Sequence, residues 1–230
     1  MILSMHQPNF IPWLGYFIKI RESDVFVILD NVQFPRGKSL ANRNYIKSAQ
    51  GSQEIVVPIS KPKGYEGKVT YRSIYFGDKK WVKKTLRTIE MNYKKAPYFD
   101  QYFPLLEEFF RMDDFCRMNI AFIRFILSEL KIDTPVYLLS ELGNAEYSKN
   151  DLIIHLCNLF GADVYLSGKG AQKYNDKERL NVNGIRLEYL SFEHPVYPQL
   201  HGDFISHLSV IDLLFNNGSE SYKYLDTINT

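Results

Sequence analysis

The run Val25-Phe26-Val27-Ile28-Leu29 constrains the fold of this chain more than any other stretch. These consecutive apolar residues between Asp24 and Asp30 leave no polar face. A strand of this kind is buried on both sides, as in a parallel sheet covered by helices. Upstream, Ile2, Leu3 and Met5 form a short apolar run that stops at His6-Gln7-Pro8-Asn9. Pro8 and Pro12 cannot donate ladder hydrogen bonds, so the first strand ends there. From Trp13 to Ile20 apolar residues return at helical spacing, with Leu14, Phe17, Ile18 and Arg21 on one side. Strand, helix, strand is a βαβ unit, and open α/β sheets bind ligands at the carboxyl ends of their strands. His6, Gln7, Asp30, Asn31 and Gln33 therefore belong to one rim.

The polar, basic segment that follows contains NRNYIK, read as a loop entering a helix and carrying Arg43, Asn44 and Lys47. Glu54 to Ile59 reads as a strand, residues 60–68 as a glycine-containing basic loop and lid candidate, and Val69 to Phe76 as another strand. From Lys79 to Leu130 the pattern is helical, with breaks at Ala96-Pro97 and near Asp113. Thr134–Leu139, Asp163–Ser167 and Gly184–Leu190 read as strands, Leu152–Phe160 and Leu208–Phe215 as helices. Ser148 to Asp151 has capping-box spacing, and Gly161 suits a left-handed helix end. The expectation is one α/β domain over residues 1–230, with a mostly parallel open sheet and a helical insertion at 79–132.

Several separated segments resemble one known family. HQPNFIPWLGY, DVFVILDNVQF, NRNYIK, YLSGKGAQKY and ISHLSVIDLLFNNG occur in the order seen in the WbqC-like protein family. The resemblance runs from His6 to about Gly218. It implies a role in bacterial surface-polysaccharide biosynthesis, such as O-antigen assembly, with acyl or aminoacyl transfer to a nucleotide-activated amino sugar. A more distant likeness is to HIGH-superfamily nucleotidyltransferases such as pantothenate synthetase. There Trp13-Leu14-Gly15-Tyr16 would stand in the place of H-x-G-H, with the glycine kept and both histidines replaced, and LDNVQF is similar to a segment closing the second strand. This likeness implies a HUP/Rossmann-like sheet, with Gly15 letting the helix start approach a phosphate. It also supplies an alternative activity, nucleotidyl transfer.

Composition narrows the classes. A net charge of +2 over 230 residues argues against a nucleic-acid surface. Cys116 and Cys157 make neither a disulfide framework nor a C-x-x-C site, and read as core. No apolar run nears the roughly 20 residues of a membrane span, and no signal peptide precedes His6, so a cytoplasmic protein is expected. His194, His201 and His207 match no helical metal pair, and no metal is expected.

Chemistry then falls to a short set of residues. His6 at a strand end is the first choice for proton transfer, since histidine titrates near neutral pH. Asp30 is a base, an orienter of His6 or a ribose ligand, or else a turn cap. Gln7 and Gln33 suit sugar hydroxyls or a base edge, and Arg43 with Asn44 suits a diphosphate. Ser167-Gly168-Lys169-Gly170 directly follows a strand, where glycine amides and the lysine favour an anion. Tyr174 lies just beyond, and Tyr16 belongs to the first helix turn. His207 and Asp212 suggest a Ser-His-Asp set with Ser209, against the reading that Ser209 and Asp212 cap the last helix. The expected partners are a nucleotide-linked sugar and an acyl carrier. No cofactor is required by the sequence; a carrier thioester or an adenylated amino acid would be the donor.

Overall fold

A computed structural model describes residues 1–60, 69–143 and 147–226. Its centre is a five-stranded parallel sheet. The chain runs β1 (Ile2–His6), α1 (Leu14–Arg21), β2 (Val25–Ile28), β3 (Arg43–Ser48), β4 (Gly51–Val56), β5 (Ile59–Ser60), β6 (Tyr75–Phe76), α2 (Lys80–Tyr93), α3 (Phe99–Arg111) and α4 (Phe115–Glu129). It continues through β7 (Val136–Leu138), α5 (Asn150–Phe160), β8 (Val164–Ser167), α6 (Lys177–Val182), β9 (Arg186–Tyr189), α7 (Val210–Asn217) and α8 (Lys223–Asp226). The sheet order is β7-β2-β1-β8-β9, with every neighbouring pair parallel. From β1 the chain moves outward to β2 and β7, then returns to lay β8 against the other side of β1. The strand order therefore reverses between β1 and β8, and such a reversal opens a crevice at the strands' carboxyl ends.

The apolar run of β2 is divided between two cores. Phe26 and Ile28 face a core shared with α1, α2, α3, α4 and α7, while Val25, Val27 and Leu29 face one built with α5 and with Leu180 of α6. This two-sided burial explains why the run has no polar alternation. Helix α1 is buried from Leu14 to Ile20. The amphipathic side expected from Leu14, Phe17, Ile18 and Arg21 is thus only part of a helix covered nearly all round.

Several local expectations change. Arg43, Asn44 and Lys47 lie not on a loop entering a helix but in β3, paired antiparallel with β4 through Ser48↔Gly51. Gly51 has φ +104, which a tight hairpin demands and glycine supplies. The strand expected at 54–59 is split at Val57-Pro58 into β4 and β5, and the one expected at 69–76 is reduced to β6. Helix α5 starts at Asn150 on Lys149, whose φ is +54 and which makes no side-chain cap, so no capping box forms. Gly161 does take the left-handed conformation, φ +67. The lid candidate falls on residues 61–68, outside the described residues.

Candidate active site

The crevice between β1 and β8 holds two chambers of about 580 and 330 Å³ that share His6, Lys19, Gly168 and Gly170. Each shared residue is placed by backbone architecture. His6 ends β1, beside β8. Gly168 follows the last residue of β8. Neither Gly168 nor Gly170 has a positive φ, and a Cβ on either would meet nothing within 4 Å. The glycines here leave space: they keep the passage between the chambers free of side chains.

Lys19, a residue the sequence reading passed over, is the central cation. It is 4 % exposed on α1, and its Nζ donates to the Met5 carbonyl at 2.9 Å. Burial without a carboxylate partner pulls its pKa down to about 7. The signal that could have found it is a single lysine within the otherwise apolar stretch WLGYFIKI.

His6 is half-buried, and its Nδ1 lies 3.1 Å from the Gln7 carbonyl. A carbonyl only accepts, so Nδ1 carries the hydrogen and Nε2 presents a lone pair. Burial, reinforced by the Lys19 charge, lowers the His6 pKa to about 3. The expectation of near-neutral titration is thereby overturned: His6 is a neutral imidazole at physiological pH. Its ring stands edge-on to Tyr16, centroids 5.0 Å apart.

The larger chamber is lined by Gln7, Gln33, Ser167 and Tyr174 among the expected residues. Asn31, Lys149, Tyr165 and Asn175 join them. Asn175 donates to Ser167 Oγ at 2.9 Å and so fixes the end of β8. The smaller chamber is lined by Tyr16 and Lys169, with Trp13, Phe192, His194 and His207 forming an aromatic wall. Trp13 stacks on both Phe192 and His207, at 5.8 and 4.9 Å. Lys149 and His207, one on each chamber, are non-glycine residues held at positive φ, +54 and +62. Such strain tends to collect at functional sites. Among the described lining residues there is no Asp or Glu in either chamber, while Lys19, Lys149 and Lys169 are present. The charge lining the crevice is that of lysines.

Other expected site residues lie elsewhere. Asp30 is wholly buried and accepts from the Ser140 amide and hydroxyl and from Arg72, so it ties β2 to the segment after β7. Arg43 pairs with Glu54 across the hairpin at 3.4 Å, and Asn44 donates to the Ile11 carbonyl at 2.7 Å. Neither lines the chambers. Asp212 does not complete a capping box; it accepts from Tyr93 Oη and Gln199 Nε2, both at 2.7 Å. Ser209 Oγ donates to the Ile11 carbonyl and caps α7 through the Ile211 amide, while His207 Nδ1 meets Ser206. The Ser-His-Asp set is therefore not assembled. Gly15 also has a different reason: a Cβ there would lie 2.2 Å from the Trp13 ring, so the indole, not a phosphate, needs the glycine.

Among the described residues no group of three His, Cys, Asp or Glu could hold a metal ion, and no helix is long and apolar enough to cross a membrane. Cys116 and Cys157 are both buried.

The family described as the WbqC-like protein family matches residues 7–224. The chain is 32% identical over 229 residues to the uncharacterized protein Rv1507c of Mycobacterium tuberculosis (strain ATCC 25618 / H37Rv), covering 97% of this chain and 96% of that one. No solved structure matches.

Proposed function

The chain belongs to the WbqC-like protein family, and from there we propose that it transfers an acyl or aminoacyl group from a carrier thioester to the amine of a nucleotide-activated sugar, in bacterial surface-polysaccharide biosynthesis. The observation that carries this reading is the pair of chambers meeting at Lys19 and His6. Two adjoining pockets with one shared floor suit a reaction between two bound ligands, because holding both removes most of the entropic cost of their encounter.

The larger chamber, with Lys149 and Lys19 and with Gln7 and Gln33 on its wall, takes the nucleotide sugar. Lys149 faces its diphosphate, and the amides of the glutamines meet sugar or base edges. The smaller chamber takes the acyl end of the donor. The sugar nitrogen attacks the thioester carbonyl carbon, forming a C–N bond and a tetrahedral intermediate. Neutral Lys19 takes the proton lost by that nitrogen. The C–S bond then breaks, and the departing sulfur takes the proton from Lys19 and leaves as a thiol. A base whose pKa lies near 7 is well matched to such a relay. His6 serves as a fixed acceptor, its Nε2 orienting the amine.

The test is incubation with dTDP- or UDP-linked amino sugars and short acyl thioesters, following thiol release and N-acyl sugar by mass spectrometry. Thiol release that requires the sugar nucleotide, and is lost in Lys19→Met, supports the transfer. Pyrophosphate release from ATP or CTP in its place overturns it in favour of nucleotidyl transfer.

A further inference from the structure

Tyr174 lines the larger chamber and is 74% exposed, more than any other aromatic residue among those described. This is not the exposure of a loose loop. The Tyr174 amide donates to the Ala171 carbonyl at 2.9 Å, and Asn150 Nδ2 donates to the Tyr174 carbonyl at 3.2 Å. Asn150 Oδ1 accepts from the Asp176 amide at 3.0 Å, and the Asn175 amide group is held on Ser167 Oγ. The backbone is thus pinned on both sides, while the Tyr174 ring and hydroxyl have no partner among the described residues. Tyr147, the other exposed tyrosine on this chamber, already stacks on His155 with centroids 4.4 Å apart. Asn150 also fixes what stands beside the ring. It directly follows Lys149, so its two bonds to the Tyr174 segment tie an exposed cation to an exposed aromatic on one rim. Lys149 has no ion pair among the described residues, and the neighbouring Asp151 is engaged by Arg179.

We infer that Tyr174 is the base platform of the larger chamber: the base of a nucleoside diphosphate stacks on its ring while the diphosphate lies against Lys149. This deepens the nucleotide-sugar reading and rests on it. A nucleoside diphosphate carries an aromatic face and an anion joined through one ribose, the same pair that Asn150 holds together on the protein. A ring kept in water on a pinned backbone offers apolar surface that a flat base covers without any ordering of the loop. Stacking reads the face of a base and not its hydrogen-bonding edge, so purines and pyrimidines are both accepted. With the base at the rim, Gln7, which follows His6 at the end of β1, is left to the sugar.

The test is calorimetric titration with UDP, dTDP, ADP and GDP, and with glucose 1-phosphate as an anion that lacks a base. The four diphosphates should bind with affinities within about tenfold of one another, since the edge of the base is not read. Tyr174→Ala should weaken each of them about tenfold, as removal of a base-stacking ring does, and Tyr174→Phe should restore them. Glucose 1-phosphate should bind alike to all three proteins. Tyr174 makes no side-chain bond among the described residues, so both variants keep the fold. No binding of any diphosphate, unchanged binding in Tyr174→Ala, or loss of glucose 1-phosphate along with the nucleotides overturns the inference. So does a preference for one base of a hundredfold or more. Diphosphate binding of the expected kind with no N-acyl sugar formed leaves the platform standing and removes the transferase reading. N-acyl sugar formed by Tyr174→Ala at the wild-type KM for the nucleotide sugar removes the platform alone; a raised KM at unchanged kcat is the expected result.

Discussion

Lys19 Nζ donates to the carbonyl oxygen of Met5 at 2.9 Å, pinning a buried ammonium to the end of the central strand. This bond sets the ammonium between the two chambers, next to the neutral imidazole of His6. The burden of that position should be visible as pH-dependent stability. Lysine titrates at 10.5 when free and at about 7 here, so between those values the unfolded chain binds more protons than the folded one. Stability must then rise with pH across that window, and below pH 7 the penalty is fully present. Lys19→Met should therefore raise Tm most near pH 6, with the advantage shrinking toward pH 10; the full effect is on the order of a few kcal/mol. A Tm difference that stays level across that range would remove Lys19 as the titrating group. Acyl transfer by the wild type should climb through about pH 7 as Lys19 loses its proton.

His6 behaves in the opposite pH range. Its folded value of about 3 lies below the ordinary 6.5, so the unfolded chain takes up a proton first as the solution is acidified. The stability of a neutral His6 is complete above pH 6.5 and is lost as pH falls from there toward 3. Heteronuclear NMR of the imidazole should show the Nδ1–H tautomer unchanged from pH 8 to pH 5. A midpoint near 6.5 would mean that the ring is wetter than the structure places it. In His6→Gln the acid loss of stability should flatten over the same window.

These two residues also show how far sequence reached. The double-sided burial of Val25 to Leu29 was legible because an unbroken apolar run has few other homes, and His6 and Gly168 were legible because each stands where an apolar strand stops. Lys19 escaped because a helical-wheel reading sends a lysine to solvent, whereas α1 is covered on nearly every side. Arg43 and Asn44 were misplaced because their segment carries few β-formers; the hairpin is set by the turn at Gly51 and by Asn44 reaching the Ile11 carbonyl. Asp212 sits at capping-box spacing from Ser209, yet its true partners, Tyr93 and Gln199, are distant enough in sequence that spacing could not reveal them.

Asp212 should accordingly prove structural. Its carboxylate, fully buried, joins Tyr93 on α2 to Gln199, whose amide oxygen in turn accepts from the Ile205 amide. Burial raises its pKa, and the bonds from Tyr93, Tyr197 and Gln199 oppose that rise. Asp212→Asn presents an amide NH2 where an acceptor is needed, and should lower stability by roughly 1–3 kcal/mol in denaturant titration. Thioester and sugar-nucleotide affinities of the folded protein should stay within twofold. A variant of normal stability that no longer turns over would return Asp212 to the catalytic set.

Gly15 tests the origin of the aromatic wall. Were the glycine kept for phosphate approach, an added methyl would matter only when ligand is bound. The geometry says otherwise, because the methyl of Gly15→Ala would sit 2.2 Å from a Trp13 ring carbon in the empty protein. The indole must move, giving up its stacks on Phe192 and His207. Overpacking of this kind typically costs about 1–3 kcal/mol. The expected result is a ligand-free protein of lower Tm with red-shifted Trp13 emission. Gly168→Ala, whose Cβ would meet nothing within 4 Å, should leave both unchanged. Unaltered emission in Gly15→Ala would place the indole off the helix start and reopen the phosphate explanation for that glycine. A red shift in Gly15→Ala alone assigns the first glycine to packing and leaves the anion to the lysines of the crevice.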